Sequence, residues 1–434
     1  MFYRQRKNTY IKKFNGNGYI VAKDILCDRI VNNSGTVFLF ALSHEPQTLE
    51  QLAGKILKQF VGVNIEVILR DAQCFYDDLV SKGFLVKGET VEELNQNDSN
   101  YTYIYENRNS SNREKINFYI PGLDLGYHNF YRLMIKYMND FPYRFMENIK
   151  IASVYGSFNN IIWNGGRVRT GKNVSINEMN QMLRQLNDAG VAVRYTYTNS
   201  ELEEKHLSDT LANLTMELAN NGKNEVLVNS PILEKYLRKN YPNFRYILST
   251  TACERDVDKI NAATEKYDLV VIDYRDNKNF GFLSKIKNKD KIEILIDEKC
   301  PSSCKYRKIE YEQISKINCL KIPEKEKEFP CARQNVNTIG FYDGLKTNQD
   351  TNLTFDEVYG KYYDMGFRHF KLEGRNEVDI NSAFESYIYY LAAPEVRELV
   401  RYDLMNYYMD FVINDYGGKN KRAMDYYAKF LEGK

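Results

Sequence analysis

From Lys115 onward the chain alternates eight short apolar segments with longer amphipathic ones, and this alternation constrains its fold more than any other feature. The apolar segments cover residues 116–120, 149–154, 191–197, 225–228, 246–249, 269–273, 292–296 and 369–372. Most are continuous apolar runs, the pattern of parallel strands buried on both faces. The stretches between them carry helical spacing. Ser175 stands as N-cap before 176–189 with Gly190 beyond its end, and Pro231 opens 231–240. Eight strands each followed by a helix fit a (β/α)8 TIM-like barrel, expected over 115–393 with a cysteine-bearing insertion. A doubly wound sheet satisfies the same periodicity. A helical tail, 394–434, is expected to pack on the outside of the barrel.

Residues 1–90 follow another pattern, a small winged-helix-like α+β domain. Segments 10–14 and 18–22 flank Asn15-Gly16-Asn17, a turn tolerant of positive φ, and predict a hairpin. A strand at 28–32 leads into an apolar helix at 34–42. Pro46 and Thr48 open a helix over 49–60, with Gln51 at the capping-box position. A third helix, 67–82, ends at Gly83 before a short strand. Residues 59–82 carry more acids than bases, which argues against a DNA-reading helix. Net charge is only +2, so no global field favours nucleic acid or an anionic membrane. No apolar stretch approaches the roughly 20 residues of a bilayer span, and the first ten residues lack the apolar core of a secretory signal. A cytoplasmic protein with reduced thiols is expected. Residues 91–114 are polar and read as a linker, ordered in part.

In a barrel, chemistry sits where strands end and loops begin. Gly156-Ser157, Tyr197-Thr198-Asn199, Asn229-Ser230, Thr250-Thr251, Asp273-Tyr274, Asp297-Glu298 and Glu373-Gly374-Arg375 fall at those points. They form either one functional mouth or the ordinary wet loops of an α/β protein. The single Trp, Trp163, stands beside Gly165-Gly166, in a loop built for a ligand or around a buried anchor. Cys300, Cys304, Cys319 and Cys331 crowd one segment after the seventh strand and are poised to share a metal, zinc or an iron–sulfur cluster, or to remain free thiols. Cys253, beyond the fifth strand, is an alternative ligand. The four histidines form no hydrolytic or zinc motif.

Two segments resemble known families. Asn33–Leu52 (NSGTVFLFALSHEPQTLEQL) and Phe75–Leu85 (FYDDLVSKGFL) resemble the PqqD-type recognition element of enzymes that modify ribosomally made peptides. The resemblance implies that a precursor's leader peptide adds as a strand beside the third strand and packs on the third helix. The groove would then lie between Cys27, Asp28, Arg29, Ile30, Val31 and Asn32 on one side and Arg70, Phe75 and Asp78 on the other. Met365–Arg375 (MGFRHFKLEGR) is similar to the K-I-E-G-R segment of the collagenase-like peptidase family, whose members include oxygen-independent hydroxylases. That resemblance implies a barrel and a four-cysteine [4Fe-4S] cluster, and it matches Lys371, Glu373 and Arg375 to the family signature, with Leu372 in place of its Ile. A glutamate and an arginine ending the last strand suit either an anionic ligand or an ion pair closing the barrel. Together these features predict a peptide-maturation protein that binds a leader and modifies the core peptide. A non-catalytic escort for a radical SAM maturase and a leader peptidase are the alternatives.

Overall fold

The computed structural model describes residues 1–7, 9–14, 17–22, 27–99, 113–123, 128–166, 174–320, 341–374 and 380–411. The chain divides into two compact units: residues 1–113, 137–147 and 391–434 form the first, residues 114–136 and 148–390 the second.

In the first unit, β1 (Phe2–Gln5) lies antiparallel between β5 (Gln47–Thr48) and β6 (Leu85–Gly88). A second antiparallel sheet runs in the order β2 (Thr9–Phe14), β3 (Asn17–Ala22), β4 (Cys27–Val31). Three helices cover these sheets: α1 (Asn33–Ala41), α2 (Leu49–Leu57) and α3 (Ile65–Ser81). Ile20, Val31, Leu39, Leu52, Ile56, Ile68, Tyr76 and Leu79 make their common core. Each helix starts where a side chain can satisfy a free backbone N–H. Asn32 caps α1, Asn64 caps α3, and Thr48 with Gln51 forms the predicted capping box on α2.

The segment read as a linker begins with a helix, α4 (Val91–Ser99). Its polar sequence hides two anchors. Leu94 is fully buried, and Asp98 accepts from Arg4 Nη2 at 3.0 Å and from the Lys7 backbone at 3.2 Å, with Arg6 Nε 3.5 Å away. The tail also departs from expectation. The helix Arg397–Phe411 belongs to the first unit, where Tyr402 stacks on Tyr19 of β3 with ring centroids 5.0 Å apart. Asp403 of the same helix receives Arg144 Nη1 at 2.6 Å and the Tyr137 hydroxyl at 3.1 Å. The face of the β2–β3–β4 sheet that carries Tyr19 needs this cover.

The second unit is a closed barrel of eight parallel strands, which excludes the doubly wound alternative. The strands are β7 (Ile116–Pro121), β8 (Ile149–Gly156), β9 (Ala192–Tyr197), β10 (Glu225–Val228), β11 (Arg245–Leu248), β12 (Leu269–Val271), β13 (Ile292–Leu295) and β14 (His369–Lys371). β14 closes onto β7, with Phe370 opposite Phe118. Among the crossover helices, α5 (Ile176–Asp188) carries a capping box from Ser175 and Glu178, and α6 (Pro231–Asn240) starts at the predicted proline. α7 (Arg307–Leu320) follows β13 in the cysteine-bearing insertion.

Charge sits inside the barrel as well as apolar packing. Arg194 of β9 donates to Glu225 of β10 at 2.5 Å and to Glu293 of β13 at 2.6 Å. Its guanidinium lies 3.8 Å above the Tyr119 ring. β9 and β13 are not neighbours, so this side chain crosses the interior. All three charged groups are fully buried, and such a network persists only because its members pair with one another.

Candidate functional site

The first unit presents a cleft. Among the described residues β4 pairs on one side only, with β3. α3 runs in the opposite direction to β4, since Arg29 within the strand reaches Asp78, while Val31 at its end comes together with Phe75, nearer the start of the helix, around Gly35 of α1. The space between is an open cleft of about 360 Å³ lined by Arg29, Ile30, Val31, Asn32, Gly35, Phe38, Asp71 and Phe75. At one end Arg29 and Lys82 both pair with Asp78, and they hold its carboxyl below the ordinary aspartate range.

Of the residues expected here, Arg29, Ile30, Val31, Asn32 and Phe75 line the cleft and Asp78 closes one end. Cys27 and Asp28 belong to β4, but their side chains lie outside the described residues. Arg70 is corrected: its side chain is 72% exposed and pairs with its neighbour Asp71. Helical geometry explains the difference, because positions 71, 75 and 78 share one face of α3 and position 70 is a hundred degrees away. That spacing would have identified Asp71 from the sequence. Gly35 and Phe38 were also missed. An added Cβ at Gly35 would lie 3.0 Å from the Val31 Cβ, so a side chain there would crowd the strand.

The second unit carries a mouth at the C-terminal ends of its strands. Lys371 ends β14, and its ammonium lies 4.0 Å from the Tyr155 ring centroid. Glu373 is held from two directions. Its N–H donates to Asp297 Oδ1 at 2.6 Å, and its Oε2 accepts the Lys299 N–H at 2.9 Å. Asp297 also receives the Ser386 hydroxyl at 2.7 Å. Burial pushes the Asp297 carboxyl well above the ordinary aspartate range; the Ser386 bond opposes this, and the charge of Glu373 adds to it. Gly374 permits this arrangement, because an added Cβ would come within 2.4 Å of Pro121 Cγ on β7. Arg375 lies outside the described residues.

Opposite these groups, Arg307 at the start of α7 is fully buried and donates to Glu298 Oε2 at 2.7 Å. Its guanidinium sits between the rings of Tyr274 and Tyr311, at 4.6 and 4.7 Å. α7 then lies across the mouth. Asn199 donates to Ser315 O at 3.1 Å, and Asn318 donates to Asn164 O at 2.7 Å. The space left among Tyr155, Thr198, Thr250, Arg307, Lys371 and Glu373 is about 70 Å³. The ring read from strand ends therefore converges in part: Thr198, Thr250, Thr251 and Glu373 line this space, whereas Asp273 is occupied by Arg275 at 2.6 Å. Tyr155, Arg307 and Tyr311 joined it unannounced by the strand-end rule.

Trp163 is a buried anchor. Its Nε1 donates to His206 O at 2.8 Å, and its ring packs edge-on against Tyr197 and Tyr236. Gly165 is needed for the same reason, since an added Cβ would lie 2.4 Å from Thr198 O.

The cysteines separate into two places. Cys300 Sγ accepts from Arg307 Nη1 at 3.5 Å, and the Cys304 carbonyl accepts from Arg275 at 3.2 Å. Cys253 shares these neighbours: burial and then Asp273 push its thiol up to about 11, while Arg307 and Arg275 pull it down. Cys319 sits near the far end of α7, roughly 18 Å along the axis from Arg307. There it accepts from Asn199 Nδ2 at 3.3 Å, and burial raises its pKa. Cys319 and Cys300 therefore do not share a site in this arrangement. Cys331 lies outside the described residues. Among the described residues no three His, Cys, Asp or Glu side chains are grouped closely enough to hold a metal. No helix among them is long and apolar enough to cross a membrane.

No protein-family model matches the chain, and no curated protein matches it. Among solved structures, the U32 peptidase Mk0906 aligns with 62% of this chain and 96% of its own, at 13% identity and a TM-score of 0.41. The Streptococcus suis protein SuiB bound to precursor peptide SuiA aligns over 87% of this chain and 99% of its own, at 9% identity and a TM-score of 0.25. The Bacillus cereus spore cortex-lytic enzyme SleL aligns over 65% and 75%, at 9% identity and a TM-score of 0.31.

Proposed function

We propose that this protein serves the maturation of ribosomally synthesised peptides, capturing a precursor's leader in the cleft between β4 and α3. The observation that carries this reading is the strand β4, which among the described residues pairs on one side only and faces an apolar-floored cleft of about 360 Å³. An unpaired strand edge beside a helix offers backbone hydrogen bonds for affinity and side-chain pockets for choice. A hairpin, an edge strand and three helices follow one another in the order that the sequence resemblance implied. The test is a binding isotherm of the full chain with the fluorescently labelled leader of its precursor. Proline placed in the pairing segment of the leader removes a ladder hydrogen bond and should weaken binding at least tenfold, by roughly 1.4 kcal/mol. Unchanged affinity would remove strand addition from the account.

In this reading the barrel mouth acts on the core peptide through Lys371 and Glu373, with Arg375 completing the set. An iron–sulfur cluster at the cysteines would supply electron transfer; zinc would supply only structure or Lewis acidity. Cys253, Cys300 and Cys304 share arginine neighbours that Cys319 does not. As they stand they are not grouped closely enough to hold a metal, so a cluster there requires these side chains to close together, with Cys331, and leaves Cys319 out. Anaerobically purified protein should then carry iron and acid-labile sulfide that Cys300→Ala removes and Cys319→Ala spares. Loss in both, or in neither, rejects this assignment.

One observation favours a second reading. Among the described residues the mouth beside Arg307 and Tyr311 of α7 leaves only about 70 Å³, small for a core-peptide side chain. A barrel that stays filled would be a scaffold presenting the precursor to a separate radical maturase. Co-expression with precursor and maturase, read by peptide mass, separates the two. Glu373→Gln abolishes the modification if the barrel is catalytic and leaves it intact if the barrel is a scaffold.

A further inference from the structure

We propose that the cleft selects leaders carrying a basic residue two positions before a large apolar one, read from N- to C-terminus. This rests on the leader-binding reading above and adds the chemistry and direction of the occupant.

Direction follows from the two walls. α3 runs opposite to β4: Arg29 within the strand meets Asp78, whereas Val31 at the strand's end comes together with Phe75, nearer the start of α3, around Gly35. Antiparallel pairing is the more stable way to add a strand to an edge. A leader paired antiparallel to β4 therefore runs in the same direction as α3, meeting Asp71 first, Phe75 next and Asp78 last. Spacing then fixes the pattern. Asp71 and Phe75 are four residues apart on the helix, about 6 Å along its axis. Side chains on one face of a strand recur every second residue, about 6.7 Å apart. The leader side chain opposite Asp71 is thus two positions before the one opposite Phe75.

Chemistry follows from what each position offers. Phe38, Phe75 and Val31 make an apolar floor, and Gly35 keeps it open. Asp71 is half-exposed, and its ion pair is with adjacent Arg70, itself 72% exposed, a contact that water screens heavily. Arg29, the cation in the lining, is already engaged by Asp78, which Lys82 also holds at 2.9 Å. Among the described lining residues, the charge left for an occupant is the carboxylate of Asp71, and its complement is Lys or Arg. A third inward side chain, two positions further on, meets the Arg29–Asp78 pair.

The experiment is ribosome display of random 12-residue peptides against the immobilised full chain, with Phe75→Ala and Asp71→Lys in parallel. Ile30→Asp, at a half-exposed position of the lining, replaces Phe75→Ala should that variant fail to fold. Peptides whose enrichment depends on the cleft should carry Lys or Arg followed two residues later by Leu, Ile, Met or Phe. A synthetic consensus should bind Asp71→Lys about tenfold more weakly, and exchanging its basic residue for Glu should restore affinity for that variant. Cleft-dependent peptides with no basic preference, or with the apolar residue first, overturn this inference while leaving leader capture standing. If no peptide depends on the cleft, both fall.

Discussion

Single residues decide whether each unit holds together, and two of them give sharp expectations. Asp98 is the common acceptor for Arg4 and Arg6, both buried at the start of the chain. Asp98→Ala leaves two buried cations short of their partner, and breaking such a buried pair costs about 3–5 kcal/mol. Chemical denaturation followed in the first unit should show this loss, and a change below about 1 kcal/mol would mean that the arginines find water instead. His369 acts in the barrel interior. Burial, and then the charge of Arg194, lower its pKa from 6.5 to about 4, and its Nδ1 lies 2.5 Å from the Tyr119 hydroxyl. The unfolded chain takes up this proton near 6.5 while the folded one resists it until about 4. Stability is therefore complete above pH 6.5 and falls as pH drops through that window, by up to about 3 kcal/mol. The melting temperature of His369→Gln should fall less between pH 7 and pH 4.5 than that of the wild type; equal slopes would show that His369 titrates normally. Neither residue announced its role in the sequence. Asp98 sat in a stretch read as a linker, and a histidine opening a strand gives no sign of an arginine reaching it across a barrel.

At the level of elements the sequence was informative where burial is symmetrical and silent where partners are remote. All eight barrel strands were legible, because a parallel strand buried on both faces is a continuous apolar run whatever its neighbours. Thr48, Ser175 and Pro231 marked helix starts because capping is local. By contrast, β1, with Tyr3, Arg4 and Gln5, is a short polar strand whose partners β5 and β6 are more than forty residues distant. The tail helix was legible as a helix but not as a lid on Tyr19. That placement has a consequence for truncation. Ending the chain at Tyr390 removes Tyr402 and Asp403, bares the buried Tyr19, and leaves Arg144 without its carboxylate. Such a variant should lose the cooperative unfolding of the first unit and bind hydrophobic dyes, whereas a soluble, cooperatively folding product would show that the tail helix is dispensable. The mouth shows the same division. Glu373 and Lys371 were found from a local motif, while Arg307, brought in by a helix that folds back across the strand ends, was not.

For the whole molecule, the proposed function gives recognition to the first unit and leaves the barrel to act on, or to present, what the first unit holds. In that proposal β4 gains a backbone partner when a leader arrives. Hydrogen–deuterium exchange of the full chain, read by mass spectrometry with and without its precursor, measures that partner directly. Amides of residues 28–32 should exchange markedly more slowly with precursor present, together with weaker protection across 71–78 of α3, and a leader carrying proline in its pairing segment should abolish the effect. Unchanged exchange at 28–32 under saturating precursor would contradict the account, whatever the barrel does.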